Sequence, residues 1–178
     1  EKLATLKGKK LHGKRNHINK FIQEHPDYEY MKLEPSMYDE CIGVYDEWRA
    51  DKGLSENEFS NERRSVVLAI RNMEALGLTG GVIKLDGKIK AFTIGERLRK
   101  DIQLIHIEKA DADINGLFPM INQQYVLHEC QDVEYINREE DMGVEGMRKA
   151  KRSYCPDYMV KKYFAAKGKL TRQELSVE

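Results

Sequence analysis

The sequence predicts an α+β fold in which a mainly antiparallel sheet is flanked by helices. Three observations predict it. Apolar residues recur with helical spacing before residue 80, strand-like runs joined by short turns lie between residues 80 and 107, and helix, strand and helix patterns follow. The 178 residues suit one core, and the 40% hydrophobic and 34% charged residues are typical of a soluble globular protein.

The first predicted elements are a helix and a strand. Residues 14–25 place Ile18, Phe21 and Ile22 on one side of a helix, which Pro26 ends. Residues 28–33 alternate as a strand. The next helix opens at Pro35, and its core-facing stripe is Met37, Cys41, Val44, Tyr45 and Trp48.

Capping patterns mark two helix starts. Ser36 with Asp39 resembles a capping box, and Ser55 with Glu58 forms a second one. The helix after the second box carries an apolar face and ends at Gly77; that face is Val66, Ile70 and Met73.

The sequence then predicts a three-stranded antiparallel meander at residues 82–85, 89–96 and 102–107, with a tight turn at Asp86-Gly87. A helix follows from Ile114, with Pro119 in its first turn, and residues 133–137 predict a strand. Residues 143–154 predict a helix whose buried side is Val144, Met147, Ala150 and Tyr154. A last strand is expected at residues 158–164.

Charge is unevenly distributed along a chain whose formal net charge is zero. Residues 1–25 hold seven Lys and Arg against two acids, a net +5, and residues 138–172 hold ten against five, again +5. The middle, residues 26–137, holds thirteen against twenty-one, a net −8. Two basic ends indicate an anionic partner, or basic and acidic blocks that attract each other within the fold.

The three cysteines are widely spaced, and they favour free thiols in a reducing compartment, so we expect a cytoplasmic protein. No apolar run approaches the length of a membrane span. His12, His17 and His25 cluster without Cys or acidic residues at metal-ligand spacing, so we expect no metal site.

The segment from Tyr135 to Tyr154 contains the main candidate site. Asn137 and Arg138 follow a strand, where ligands tend to bind in open sheets. Arg148, Lys151 and Arg152 share one helix face, with Glu145 as a partial counter-charge. This face is either a clamp for phosphate or carboxylate, or a solvated face with ordinary ion pairs.

A second candidate site lies at the end of the third meander strand. Glu108 is a candidate general base toward an amine, and the alternative is a surface Glu paired with Lys109. Asp111 and Asp113 follow at the same strand-to-helix junction, where the three acids together could receive a cationic group.

Four stretches carry a family resemblance: HGKRNHINKF, TGGVIKLDGKIKAFTIGE, HIEKADADINGLFPMINQQY and YINREEDMGVEGMRKAKRSYCP. They resemble the bacterial family related to the C-terminal domain of phosphatidylglycerol lysyltransferase. The resemblance implies a GNAT acyltransferase fold, often present as two halves in tandem. It also implies transfer of an aminoacyl group from aminoacyl-tRNA to an anionic lipid head group.

On this resemblance, residues 1–25 form a basic helix and linker from a missing first half, residues 26–166 the GNAT-like domain, and residues 167–178 a tail. Acetyl-CoA-dependent GNAT proteins hold pyrophosphate in a Gly-rich loop, where this chain has KADADINGLF. Asp111 and Asp113 would repel pyrophosphate, and only Gly116 permits close backbone approach.

The leading hypothesis is an aminoacyl- or acyl-transferase that modifies an amine or hydroxyl. Glu108 would act as base or amine binder, Asn137 and Arg138 as orienting groups, and Arg148 with Lys151 as the anion clamp. Tyr154 is a candidate proton donor or a core residue. The donor would be aminoacyl-tRNA, and the alternatives are an N-acyltransferase that uses acyl-CoA and a non-catalytic, ligand-binding half that packs against the preceding half. A membrane contact is a further possibility for Lys161, Lys162, Lys167 and Lys169.

Overall fold

The computed structural model describes residues 1–51, 60–161 and 163. The described residues divide into two compact units, with the boundary between Glu139 and Glu140. The helices are α1 (Lys2–Thr5), α2 (His12–Glu24), α3 (Tyr38–Asp51), α4 (Ser60–Arg71), α5 (Leu117–Glu129) and α6 (Glu145–Arg152). The strands are β1 (Glu29–Lys32), β2 (Leu78–Leu85), β3 (Lys88–Arg99), β4 (Ile102–Ala110) and β5 (Tyr135–Asn137).

The first unit is built on a five-stranded sheet in the order β1-β2-β3-β4-β5. β1 to β4 are antiparallel, and β5 pairs parallel with β4. Asp86 and Gly87 both have positive φ, 51° and 75°, as a two-residue hairpin turn between β2 and β3 requires. The predicted meander is therefore confirmed, with strands longer than the sequence pattern indicates.

Helices cover both faces of this sheet. α3 and α4 pack on one face, where the predicted stripe of Met37, Cys41, Val44 and Tyr45 is buried against Phe92 and Ile94. On the other face α5 buries Tyr125 and Val126 with Ile105 of β4. The alternation of β-strand side chains thus separates the unit into two cores.

Three details of the first unit differ from the predictions, and a fourth prediction falls outside the described residues. Ile22 is 40% exposed, because the buried strip of α2 runs through Ile18 and Phe21 only. A 3₁₀ turn (Pro35–Met37) precedes α3, and the Asp39 carboxylate accepts a hydrogen bond from Arg71 rather than forming a capping box. The second predicted box, Ser55 with Glu58, lies outside the described residues. α4 ends at Arg71, six residues before Gly77.

The second unit contains α6. The prediction of a buried side at Val144, Met147 and Ala150 is wrong, since no residue of α6 is buried and Val144 is 53% exposed. Periodicity places side chains on one face, but it does not supply a partner to cover them. Only Tyr154, at 7% exposed, is buried as expected.

The predicted last strand is also absent from the residues described there. Residues 158–161 and 163 are exposed and lack strand structure, and Phe164 lies outside the described residues. The apolar residues Tyr158, Met159 and Val160 are consecutive, so their pattern is not the alternation of a half-buried strand. Of the lysines considered for a membrane contact, Lys162, Lys167 and Lys169 lie outside the described residues. Within the described part of the chain, no helix is long and apolar enough to cross a membrane.

Candidate functional site

A buried polar cluster lies on the face of the sheet that α5 covers. Glu108 of β4 accepts a hydrogen bond from Arg138 Nη2 at 2.8 Å and another from Asn122 Nδ2 at 2.7 Å. The Arg138 and Glu108 side chains are only 18% and 13% exposed. The structure therefore brings together two of the predicted residues, which are 30 positions apart in the sequence.

Lys14 of α2 completes this group, which we call the Glu108 cluster: Lys14, Glu108, Asn122 and Arg138. Burial lowers the pKa of Lys14, the nearby Arg138 lowers it further, and Glu108 acts in the opposite direction. A lysine with a lowered pKa beside an ion pair is typical of functional sites, although structural networks also produce it.

Lys14 and Asn122 were not predicted from the sequence as site residues. A signal for Lys14 exists, because it lies at a helical spacing from Leu11, Ile18 and Phe21, all three of them buried. A lysine within an apolar stripe must either extend to water or meet polar partners in the core. Asn122, at 1% exposed, lies among the apolar residues of α5 and offers a similar signal.

Lys109, the neighbour of Glu108, points to the opposite face of the sheet. Its Nζ lies 3.0 Å from Glu62 Oε1 and 3.4 Å from the centroid of the Trp48 ring. Tyr45 donates its hydroxyl hydrogen to Glu62 Oε2 at 3.1 Å. Burial lowers the pKa of Lys109, whereas Glu62 raises it. The interpretation of Glu108 as a surface residue paired with Lys109 is therefore wrong, since adjacent strand residues face opposite ways.

The same alternation separates Glu108 from Asp111. Asp111 forms an ion pair with Lys90 at 3.1 Å and accepts the Asp113 backbone N–H at 3.1 Å. Both acids line a cavity of about 210 Å³ together with Trp48, on the α3 face of the sheet. The expected grouping of Glu108 with Asp111 and Asp113 is thus not found, and the two acids lie apart from the Glu108 cluster.

β4 changes direction next to the Glu108 cluster. The β3–β4 register shifts between Ile94 and Gly95, so that His106 is the extra residue of a β-bulge. His106 Nε2 lies 3.1 Å from Glu96 and its Nδ1 lies 3.3 Å from Glu139. Pairing between β4 and β5 ends at Leu104 and Asn137, while β4 continues to Ala110. β5 therefore ends opposite Leu104, and among the described residues no strand pairs with β4 on that side at residues 105–110, which include Glu108.

Asn137 shapes the exit from β5. Its side-chain Oδ1 accepts the backbone N–H of Glu139 at 2.9 Å, and Glu139 has a positive φ of 58°. This turn directs the chain so that Arg138 reaches Glu108. Any further role of Asn137 in a reaction stays a prediction.

The cations of α6 are held within the second unit. Arg148 donates to both carboxylate oxygens of Asp141, at 2.7 and 3.3 Å, and holds the pKa of Asp141 below its usual range. Lys151 donates to the Glu140 carbonyl oxygen at 2.6 Å, whereas Arg152 is exposed. The principal counter-charge of Arg148 is therefore Asp141, and not Glu145 as expected.

The N terminus of α5 abuts α2. Gly116 caps α5 with a positive φ of 84°, and a Cβ atom there would lie 2.3 Å from the His17 carbonyl oxygen. His17 Nδ1 also lies 3.0 Å from Asn115 Oδ1. The close approach that Gly116 permits is thus used by the backbone of α2. No group of His, Cys, Asp and Glu suited to a metal ion was found within the described ranges.

Comparison with known proteins relates this fold to one family. The family model described as phosphatidylglycerol lysyltransferase, C-terminal, matches residues 1–166. A conserved protein of unknown function from Bacteroides thetaiotaomicron VPI-5482 is 46% identical, with a TM-score of 0.85 over 89% of this chain and 54% of that one. An uncharacterised protein of Mycoplasmoides gallisepticum is 25% identical over 170 residues, which are 92% of this chain and 53% of that protein.

More distant structures show the fold. A C-terminal domain described as that of a lysylphosphatidylglycerol synthetase, from Agrobacterium fabrum, is 19% identical, with a TM-score of 0.59 over 85% of this chain and 53% of that one. A ribosomal-protein-alanine N-acetyltransferase from Brucella melitensis biovar Abortus 2308 is 10% identical, with a TM-score of 0.52 over 79% of this chain and 99% of that one.

The predicted GNAT fold is therefore confirmed, and the chain spans about half the length of the first relatives it matches. Because the family model covers nearly the whole chain, the protein belongs to the family of the phosphatidylglycerol lysyltransferase C-terminal domain.

Proposed function

We propose that this domain transfers an activated acyl or aminoacyl group to an amine or hydroxyl, and that the reaction takes place at the Glu108 cluster. The observation that carries the proposal is the buried Glu108–Arg138 ion pair, which lies just beyond the point where β5 ends and β4 continues. Lys14 and Asn122 bring two further polar groups to the same point.

The edge of β4 that continues beyond the end of β5 suits an extended acyl chain. Six residues of β4, 105–110, run beyond the last pair with β5. Among the described residues, no strand pairs with that edge of β4, so its backbone groups can bind an amide or ester segment as an added strand would. A substrate placed there has its reacting carbonyl close to Glu108.

The chemistry of acyl transfer needs a proton acceptor, stabilisation of an oxyanion and protonation of a leaving group. Glu108 has lone pairs beyond the two that Arg138 and Asn122 occupy, and one of these can accept the proton of the attacking amine or hydroxyl. Arg138, with protonated Lys14, supplies more positive charge than Glu108 neutralises. This excess favours a tetrahedral oxyanion.

Lys14 is the group best suited to protonate the leaving oxygen. Its pKa is lowered by burial and by Arg138, so it gives up a proton more readily than an exposed lysine does. A leaving alkoxide such as a ribose oxygen would receive that proton. The role of Tyr154 as a proton donor, which the sequence suggests as an alternative, stays a prediction.

The donor we propose is aminoacyl-tRNA. Acyl-CoA use would need an anion site at the N terminus of α5, and there Gly116 is packed against the His17 carbonyl oxygen. A carbonyl oxygen at that place repels a pyrophosphate. The anion clamp of Arg148, Lys151 and Arg152 would bind the phosphodiester of a tRNA end or a lipid head group. A cytoplasmic location would give access to aminoacyl-tRNA.

The test is a thermal-shift screen that compares an aminoacyl-adenosine analogue, acetyl-CoA and glycerophosphate head groups. The analogue should raise the melting temperature by an amount that increases with its concentration, and E108Q and R138Q should abolish that shift. K20Q, an exposed change on the same α2 as Lys14, is the matched control and should keep the shift.

Two results would favour the alternatives. Stabilisation by acetyl-CoA alone would support an acyl-CoA-dependent N-acyltransferase. Shifts that E108Q, R138Q and K14M leave unchanged would support a non-catalytic half that binds ligands elsewhere, and would refute the proposed site.

A further inference from the structure

His106 lies between two carboxylates that come from different elements of the fold. Its Nε2 faces Glu96 of β3 at 3.1 Å, and its Nδ1 faces Glu139, which follows β5, at 3.3 Å. The β-bulge brings the ring to this position, because the register between β3 and β4 skips His106. Neither carboxylate forms an ion pair with a lysine or an arginine in the described part of the chain, so the imidazole is their shared partner there.

These two contacts need a charged ring. A carboxylate only accepts hydrogen bonds, and a neutral imidazole carries a hydrogen on just one of its two nitrogens. A neutral His106 would therefore turn a lone pair toward one of the glutamates, whereas the imidazolium is attracted to both. The three side chains are 33% to 35% exposed, so water weakens these ion pairs without removing them. Because histidine ordinarily changes its charge between about pH 5 and about pH 8, the double contact depends on pH.

The contact with Glu139 is the one that bears on the candidate site. Glu96 lies within β3, where its backbone is held by pairing with β4. Glu139 instead lies in the turn after β5 with a φ of 58°, a left-handed conformation that is strained in any residue other than glycine. Such a turn persists only where surrounding contacts hold it. Here they are the hydrogen bond from its backbone N–H to Asn137 Oδ1 and the contact with His106.

This turn also determines where Arg138 points. Arg138 is joined to Glu139 by one peptide bond, and its Nη2 donates to Glu108 at 2.8 Å. We propose that the imidazolium of His106 positions Arg138, because it holds the turn at Glu139 and so keeps the guanidinium at Glu108. Loss of the proton weakens this hold as pH rises. The inference rests on the proposed function only in taking the Glu108 cluster as the reaction site, since the contacts themselves need no substrate.

The first test is urea denaturation at about pH 5.5 and at about pH 8, without any ligand. H106Q keeps an N–H donor, as the neutral ring does, but carries no charge. It should lower the folding equilibrium constant about fivefold at the lower pH, since each partly exposed ion pair contributes about two- to threefold. At the higher pH its effect should be within about twofold. H106K is charged at both pH values, so it should exceed H106Q by about the same factor at both. H12Q, which changes an exposed histidine at the start of α2, is the control and should behave as the unchanged chain.

A double-variant cycle tests whether the hold reaches Arg138. At about pH 5.5, R138M should lower the folding equilibrium constant less in H106Q than in the unchanged chain, by a factor of about two to three. Direct repulsion between the imidazolium and the guanidinium would give the opposite sign. E139Q should reduce the effect of R138M in the same way. E96Q is the matched control, because it removes the other contact of the same ring and should leave the effect of R138M unchanged.

Ligand binding gives a readout that a purely structural role would not change. At about pH 8, the apparent dissociation constant of the aminoacyl-adenosine analogue should be about two- to threefold lower for H106K than for H106Q. If the analogue binds neither these variants nor the unchanged chain, the proposed function fails, and the cycle without ligand still decides the inference.

Three results would overturn the inference. One is an effect of R138M that is equal in H106Q and the unchanged chain at the lower pH. Another is a coupling between positions 106 and 138 that is as large at about pH 8 as at about pH 5.5. The third is binding of the analogue that is equal in H106K and H106Q.

Discussion

Removing the carboxylate of Glu108 should destabilise the first unit more than removing the guanidinium of Arg138. The reason is the composition of the Glu108 cluster, in which two cations share one buried anion. R138M leaves Lys14 and Glu108 as a nearly neutral pair. E108L leaves Lys14 and Arg138 as like charges in a site where they are poorly hydrated.

The magnitudes follow from the burial of the pair. Both side chains are less than one-fifth exposed, so loss of one partner resembles the breaking of a buried ion pair. We expect E108L to lower the free energy of unfolding by about 4 kcal/mol and R138M by about 2–3 kcal/mol. E108L/R138M should cost less than the sum of the two, because neither member of the Glu108–Arg138 pair is then left buried without the other and the repulsion between Lys14 and Arg138 is also removed.

Urea denaturation followed by circular dichroism measures these differences. K20M, which removes one partner of an exposed pair with Glu24 on α2, is the control and should change stability by at most about 0.5 kcal/mol. Equal effects of E108L and R138M, or additive effects in the double variant, would refute the account of an anion shared by two cations.

Three further predictions concern stability. Folding lowers the pKa of Lys14, so between that lowered pKa and 10.5 the unfolded chain holds a proton that the folded chain has released. The free energy of unfolding should therefore rise with pH in this range. Urea titrations repeated across pH should show the rise, and K14M should flatten it. Y30F should be neutral or stabilising in urea denaturation, since the buried Tyr30 hydroxyl has no hydrogen-bond partner among the described residues. Y125F should lower the free energy of unfolding by about 1–2 kcal/mol, because it removes the hydroxyl that hydrogen-bonds with Thr79 and Gln103. A large loss of stability in Y30F would contradict this prediction. G116A should lower the melting temperature more than G87A, because both glycines have positive φ but only Gly116 faces a carbonyl oxygen. Equal decreases in melting temperature would show that the positive φ alone matters.

Most elements could be predicted from periodicity. The stripe from Met37 to Tyr45 and the positions Val66, Ile70 and Met73 are buried as expected, because a core-facing helix must place apolar residues on one side. The prediction fails at α6, where the same periodicity exists and the side chains are exposed. Periodicity describes a face, and only the packing of other elements decides whether that face is buried.

The candidate site was predictable only in part. Glu108, Asn137 and Arg138 were identified because polar residues follow strand-like runs. The further members of the Glu108 cluster, Lys14 and Asn122, come from α2 and α5, which are distant in sequence. Lys109 illustrates the limit: its contact with Trp48 and Glu62 depends on the packing of α3 and α4 against β4, which no spacing in the sequence indicates.

The sequence by itself determined the order of the elements, the antiparallel meander and the family, because these follow from local periodicity, turn chemistry and matching motifs. Tertiary structure alone decided which charges meet. Alternation along β4 sends Glu108 to one face and Lys109 and Asp111 to the other, and the packing of α2 brings Lys14 to Glu108. Electrostatic interactions depend on distance and burial, and both quantities are set only when the sheet and its helices are assembled.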